Sequence, residues 1–380
     1  MTRVAHHLTS APLLACFLLA VTAARAHPDG PEREPARLIE AGQCREAASL
    51  LEANSGSATA SPEMRVLLGW AYLGMGRYSE AEAVVDQPGP PGIEPARLEI
   101  RGRAAEVRGD LDRALAALTQ AIEARRQSLS SVESLDGAAT LAEGRTLLGD
   151  LAFGAGRLDL AKDQFQKAIT GVSDAHARLH AQDIPHDERD PRLLAGGATA
   201  GLARVYGAKG DAARAERSWR GVMARTDDPA VLTDLVAFYI ARNDVKSAGR
   251  HRERALKLTE GKPAHRRTRA ALLADRAETL REALTLAEAA YRDGPDIHAR
   301  DTLAWVLHRQ GDDARAREIL QPALDLGSRD PMLLYHAGLI AQARHDVPEA
   351  KRLLTACLAL NPAFDPVAAP DATRRLQALR

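Results

Sequence analysis

The chain has 380 residues, of which 51 are Lys or Arg and 51 are Asp or Glu, so its formal net charge is zero. This balance provides no overall field for nucleic acid or an anionic membrane, and three cysteines are too few for a disulfide framework. The length exceeds that of a single ordinary core, which predicts several domains or a repeated unit. Arginine outnumbers lysine by 44 to 7, a bias typical of a GC-rich bacterial genome.

Residues 1–26 have the pattern of a cleavable signal peptide. Arg3 gives a positive start, residues 11–21 are an apolar run, and Ala24-Arg25-Ala26 ends in the small-x-small pattern of a cleavage site. The run is shorter than the roughly 20 residues that a membrane-spanning helix needs. We therefore expect a periplasmic or secreted protein that begins at His27 and has no stable membrane insertion after cleavage. A retained anchor and lipidation at Cys16 are the alternatives.

The stretch LLGWAYLGMGRYSEAEAVV, residues 67–85, has the spacing of a helix, a tight turn and a second helix. Gly69 and Ala81 are small where the two helices would touch, and Tyr72 fills the space beside them. Gly76 can adopt the left-handed conformation that ends a helix. The same pattern recurs in nine units that begin near residues 28, 62, 95, 142, 196, 229, 264, 297 and 331. Six of the eight steps lie within one residue of 34, which predicts an array of helix pairs.

This period and its small-residue pattern resemble those of tetratricopeptide (TPR) repeats. The resemblance implies an all-α, TPR-type α-solenoid, a right-handed superhelix of helix-turn-helix pairs in which each unit buries its apolar stripe against its neighbours. The run from Asn361 to Asp371, NPAFDPVAAPD, also resembles the close of some secreted bacterial TPR proteins. Cys44 and Cys357 fall in the first and ninth units, so we expect two free thiols.

The repeats divide the mature chain into three parts. Residues 27–61 form a partial, capping repeat whose first helix is shortened by prolines, and residues 62–364 form the array. Insertions near 129–141 and 176–195 account for the two long steps. Residues 365–380 contain a terminal helix that covers the last apolar face. Insertions in solenoids often map to the binding face, whereas a tolerated solvated loop is the alternative interpretation.

In TPR proteins the first helix of each pair lines a concave groove. Transferring these positions to this sequence predicts an exposed groove whose C-terminal end is rich in aromatic and imidazole groups. There Trp305 and Tyr335 would be anchors for a partner, unless Trp305 simply packs against the neighbouring helix. The candidate partner-binding residues are Trp70, Arg103, Asp150, Arg204, Asp234, His298, Trp305, His308, Tyr335 and His336.

These observations favour a binding function over a catalytic one. The sequence has no P-loop, G-x-S-x-G motif or Rossmann fingerprint, and repeats occupy nearly the whole mature chain. We therefore expect a non-catalytic scaffold, without a cofactor, that binds a protein or peptide in the groove. The alternative is a periplasmic metal-binding protein that uses His27 at the mature N-terminus or the groove histidines.

Overall fold

The computed structural model describes residues 30–55, 61–87, 89–129, 134–182, 194–223 and 226–379. Within these ranges the chain is all-α, with nineteen α-helices and no strand. The predicted leader and His27 lie outside the described residues. Among the described residues, no helix combines the length and apolarity that a membrane span requires.

Eighteen of the helices form nine consecutive pairs, in the order of the nine units, and a nineteenth follows them. This order confirms the predicted all-α, TPR-type solenoid. The pairs are α1 (Arg33–Glu40) and α2 (Cys44–Ser55), α3 (Pro62–Gly74) and α4 (Tyr78–Val84), α5 (Glu94–Val107) and α6 (Leu111–Ser128), α7 (Leu135–Gly154) and α8 (Leu158–Ala181), α9 (Gly196–Ala208) and α10 (Ala212–Met223), α11 (Pro229–Ala241) and α12 (Val245–Thr259), α13 (Arg266–Leu273) and α14 (Leu280–Asp293), α15 (Ile297–Gln310) and α16 (Asp313–Asp325), and α17 (Pro331–Ala343) and α18 (Val347–Leu360), with α19 (Ala368–Ala378) last.

Small residues let the two helices of a pair pack closely. A Cβ built on Gly149 would lie 2.5 Å from the Phe165 ring of the paired helix, and one built on Gly338 would lie 2.8 Å from Leu354 Cδ2 of its paired helix. Eight of the nine pairs turn through a residue with positive φ, usually glycine, such as Gly76 with φ of 71°, and the seventh pair turns without one. Asn243 adopts this conformation in the sixth unit. The small residues found at regular spacing in the sequence therefore lie at helix–helix contacts and at turns.

The two predicted insertions flank the fourth unit. The first is partly helical, because α7 already begins at Leu135, while residues 130–133 lie outside the described part. The second begins within α8, which continues to Ala181, and α9 starts at Gly196. Residues 183–193 between them are not described. Whether either insertion contributes to binding therefore remains a prediction.

The array closes on itself, since turns in its first half contact loops in its second half. The turn of the first unit, at Gly42, approaches Ala264 at the start of the seventh unit. The turn of the second unit meets the loop before the eighth, with a Cβ on Gly76 only 2.9 Å from the Pro295 carbonyl oxygen. The third and fourth units continue this register, with Gly109 against Gly327 and Gly156 against Leu360.

Hydrogen bonds reinforce the closure. The backbone N–H of Ile297 donates to the Tyr78 hydroxyl at 3.0 Å, and the Asn361 side-chain amide donates to the Phe153 carbonyl oxygen at 2.7 Å. All four groups are buried, so these bonds satisfy polar groups that water does not reach. One hydrophobic cluster joins residues of both halves, from Ala36 to Ala372, while two smaller clusters lie mainly in the fifth and sixth units.

Both described cysteines are buried and free, as predicted from their positions at opposite ends of the repeat series. Burial raises the pKa of each thiol, Cys44 and Cys357, to about 12. The thiols are therefore neutral at physiological pH and unreactive.

Candidate functional site

The residues predicted as aromatic anchors of an exposed groove are buried. Trp70 and Tyr335 are 0% exposed, His336 is 1% exposed and Trp305 is 4% exposed. Trp305 and Tyr335 are covered by side chains of the last two units and of the segment that follows them, including His336 and Phe364. The prediction of an exposed groove at the C-terminal end is therefore wrong, and the alternative in which Trp305 packs against its neighbours is correct.

The contacts of these residues have a structural role. Trp305 stacks on the ring of His336 with 4.5 Å between centroids, and His336 Nδ1 lies 2.8 Å from Asp301 Oδ1. The Tyr335 hydroxyl donates to Asp371 at the start of α19, at 2.8 Å. His308 pairs with Asp313 in the next helix. Together they fix the last units to one another and leave no aromatic face for a partner.

The concave side of the array retains a cavity of about 300 Å³ next to the fifth and sixth units. One wall consists of residues of α7, α9, α10 and α11. The other wall comes mainly from the segment between α18 and α19, residues 361–367, which we call the C-terminal strap. The lining is mostly apolar and includes Phe153, Ala203, Arg204, Gly207, Ala215, Trp219, Asp234, Phe238, Arg242, Phe364 and Asp365.

Three groups of contacts position the C-terminal strap. Asn361 begins it with the hydrogen bond to Phe153 described above. Asp365 Oδ1 accepts hydrogen bonds from the backbone N–H groups of Val367 and Ala368, at 2.7 and 2.5 Å, and so caps the start of α19. Val367 packs against a small cluster formed by Val236, Ala237 and Ala248 in α11 and α12. The strap therefore lies on the concave face of the sixth unit.

Arg204 stands at the base of the cavity between two carboxylates. Its guanidinium donates to Asp150, and its Nε lies 3.3 Å from Asp234 Oδ2. It also lies over the Phe153 ring, 5.2 Å from the centroid. Burial raises the pKa of Asp150, while the Arg204 charge opposes that shift. Burial lowers and the two carboxylates raise the pKa of Arg204, and the net shift is upward.

Three predicted site residues, Asp150, Arg204 and Asp234, are thus brought together, and two of them, Arg204 and Asp234, line the cavity. The other lining charges also have counterparts within the chain. Arg242 lies over the Phe238 ring at 5.3 Å and within 3.8 Å of Glu216. Asp365 is buried at the N-terminus of α19, whose backbone N–H groups stabilise its charge.

Arg103 and His298, two further predicted residues, lie away from this cavity. They line a narrower space of about 50 Å³ between the first and second halves, together with Asp150. Arg103 lies 3.4 Å from Glu106, and burial sets the pKa of His298 well below its usual value. Burial also raises the pKa of Asp330, which caps α17 here, to about 6. These polar groups line a space between the two halves of the array.

The structure gives no support to the metal alternative within the described part of the chain. There, no group of three or more His, Cys, Asp or Glu side chains is placed to hold a metal ion. His298 lines the narrow polar space, whereas His308 and His336 flank Trp305. His27 lies outside the described residues.

The aromatic residues of the cavity were missed by the sequence analysis. Trp219 lies in the second helix of its pair and Phe364 in the strap, so neither occupies a TPR groove position. Phe153 is near the end of α7, and Phe238 is likewise near the end of α11. A signal was nevertheless present, because aromatic residues make up only 4% of the chain and four of them meet here.

Comparisons with known proteins agree with the repeat pattern. A tetratricopeptide repeat family model matches residues 38–90. A crystal structure of a tetratricopeptide repeat protein from Parabacteroides merdae is 15% identical, covers 75% of this chain and 98% of its own, and has a TM-score of 0.38. Human IFIT1, solved as a dimer with PPP-AAAA, is 15% identical, covers 97% of this chain and 85% of its own, and has a TM-score of 0.45. No curated protein matches the chain by sequence. The family model therefore shows a tetratricopeptide repeat at residues 38–90, and the nine consecutive helix pairs of the described residues have the same helix-turn-helix arrangement.

Proposed function

We propose that the protein is a non-catalytic scaffold that binds a protein or peptide partner in the cavity beside the C-terminal strap. TPR folds are typical of protein–protein interaction, and this cavity lies beside the fifth and sixth units of the described array. The observation that carries the proposal is the apolar lining of Phe153, Trp219, Phe238 and Phe364 around a space of about 300 Å³. A concave, largely apolar space with a few fixed polar groups is the usual form of a ligand site.

Gly207 offers a direct test of this site. It lines the cavity on α9, and a Cβ built on it meets no heavy atom within 4 Å. Gly207→Leu should therefore fill the cavity without disturbing the packing of the array. Gly221 on α10 is the matched control, because its Cβ also meets nothing within 4 Å and it does not line the cavity. Both substitutions should stabilise their helices by up to about 1 kcal/mol, since glycine is a poor helix former.

The experiment is a selection of displayed peptides on the immobilised wild-type protein, followed by affinity measurements on both variants. We expect selected peptides to bind wild type and Gly221→Leu equally and to bind Gly207→Leu at least ten times more weakly. The proposal fails if no peptide is enriched or if the peptides bind all three proteins alike.

We also propose that the protein is exported to the periplasm or secreted, on the basis of the signal-peptide pattern in residues 1–26. Expression of the complete sequence in a bacterial host, followed by N-terminal sequencing of the exported fraction, tests this. The expected mature N-terminus is His27. Retention in the cytoplasm with residues 1–26 intact would contradict the proposal.

A further inference from the structure

We infer that the cavity binds an uncharged aromatic side chain, of the size of tryptophan, that a partner polypeptide inserts as its anchor. This inference rests on the proposed function and specifies the chemistry of the partner. It is based on the volume of the cavity, on the aromatic side chains in its walls and on the contacts that the charged lining residues already make.

The volume suits a large aromatic ring. An apolar cavity of about 150 Å³ is enough to hold benzene. The cavity of about 300 Å³ is twice that size, so it can hold the two fused rings of an indole. An aliphatic side chain would leave part of this space empty and forfeit contacts with the walls.

The walls supply aromatic partners from two sides. Trp219 and Phe238 face each other on the helical wall with 5.7 Å between ring centroids, and Phe364 belongs to the strap wall. A further ring placed among them would gain edge or face contacts, each contributing beyond the apolar area that it buries. Arg242, which already lies over Phe238, would border such a ring at the edge of the cavity.

The charges argue against a charged anchor. Arg204 is held by Asp150 and Asp234, while Asp365 caps α19. An ammonium or carboxylate brought into the apolar part of the cavity would lose its hydration and find these groups already engaged. The polar groups therefore shape the base of the cavity and exclude charged ligands.

A set of matched probes tests the chemistry. 3-Methylindole reproduces the tryptophan side chain, tryptamine adds an ammonium to the same ring system, and indole-3-acetate adds a carboxylate. Binding is measured by ligand-observed NMR and calorimetry on wild type, Gly207→Leu and Gly221→Leu. We expect 3-methylindole to bind wild type and Gly221→Leu at least tenfold more tightly than either charged analogue, and to lose binding to Gly207→Leu. A preference for either charged analogue overturns the inference.

Short peptides then test the source of the ring. Gly-Ser-Trp-Ser-Gly should bind at least as tightly as 3-methylindole, and replacing its Trp with Ala should weaken binding at least tenfold. Binding of 3-methylindole without the peptide would indicate a site for a free small aromatic molecule and would overturn the inference. If the peptides selected by display depend on Gly207 but have no aromatic anchor, the inference fails while the proposed function stands. If no peptide binds, both fail.

Discussion

The charged residues inside this molecule illustrate how strongly position decides the role of a side chain. Asp150, Arg204 and Asp234 were predicted from their groove positions, and they meet beside the candidate cavity, which Arg204 and Asp234 line. They form an ion cluster in which Arg204 lies between both carboxylates. A largely buried cluster of this kind fixes geometry, and removal of one member would leave an uncompensated charge. Their proposed role in binding is to hold the wall of the cavity in a fixed geometry.

Asp330 provides a prediction at the residue scale. It is partly buried at the N-terminus of α17, where its Oδ1 accepts from the backbone N–H groups of Met332 and Leu333. Burial raises its pKa from 3.8 to about 6, so the folded protein binds a proton more tightly than the unfolded chain does. Ionisation between about pH 4 and pH 6 therefore costs the folded state stability, and the full cost is present at neutral pH.

We expect Asp330→Asn, which retains a good capping residue, to gain stability relative to wild type as the pH rises from 4 to 7. The relative gain should approach about 3 kcal/mol, because each pKa unit corresponds to about 1.4 kcal/mol. Urea unfolding of both proteins across this pH range measures it. Asp312→Asn, at the exposed cap of α16, is the control. A constant difference between wild type and Asp330→Asn at every pH would show that burial does not shift this carboxyl.

At the scale of elements, the turns have two separate roles. Gly76 and Gly311 both have positive φ, at 71° and 86°, and both follow the first helix of a pair. They differ in surroundings, because a Cβ on Gly76 lies 2.9 Å from the Pro295 carbonyl oxygen and one on Gly311 meets nothing within 4 Å. Gly311→Ala should therefore cost only the left-handed strain, about 1–2 kcal/mol.

Gly76→Ala should cost this strain plus the displacement of the loop before α15. We expect it to lower the free energy of unfolding by about 1 kcal/mol or more beyond Gly311→Ala, since overpacking of a close contact typically costs about 1–3 kcal/mol. Chemical denaturation of the two variants gives the difference directly. Equal losses would mean that the turn of the second unit is not packed against the second half.

The sequence analysis predicted the elements well and their long-range arrangement poorly, for a physical reason. Gly69, Tyr72 and Gly76 recur with the period of the array because they make contacts within a unit or to the next one. The contact between Gly76 and Pro295 joins residues that are six units apart. This contact depends on the total rotation between the two units, which is the sum of many small rotations from one unit to the next. No single residue pattern predicts that total.

Because the sequence pattern does not record long-range contacts, the sequence analysis predicted only part of the candidate site. Groove positions inferred for an open solenoid included Arg204 and Asp234, which line the cavity. They also included Trp70 and Trp305, which are buried in the structure. Phe364 contributes to the cavity only because the C-terminal strap returns to the concave face through Asn361 and Val367. The site therefore required the tertiary structure, although its aromatic composition was visible in the chain.

At the scale of the whole molecule, the structure is a TPR-type array in which turns of the first half contact loops of the second half. A hydrophobic cluster shared by both halves takes the place of an open groove there, and a cavity remains at the fifth and sixth units. Under the proposed function, binding specificity is concentrated in the few residues that line this cavity. An open superhelix would spread it along many units.

The three tryptophans allow the most direct test of this account, because each is buried but only Trp219 lines the cavity. Three variants are made, each of which retains one tryptophan and carries Phe at the other two positions. Quenching of their fluorescence by acrylamide measures the exposure of the remaining tryptophan. The change in emission on adding the peptides selected on the wild-type protein measures its response to binding. We predict weak quenching of Trp70 and Trp305 and no response of either to peptide. The emission of Trp219 should change as the cavity fills. Strong quenching of Trp70 or Trp305 in the folded variants, or a peptide response at either residue without one at Trp219, would contradict the closed array and the proposed site.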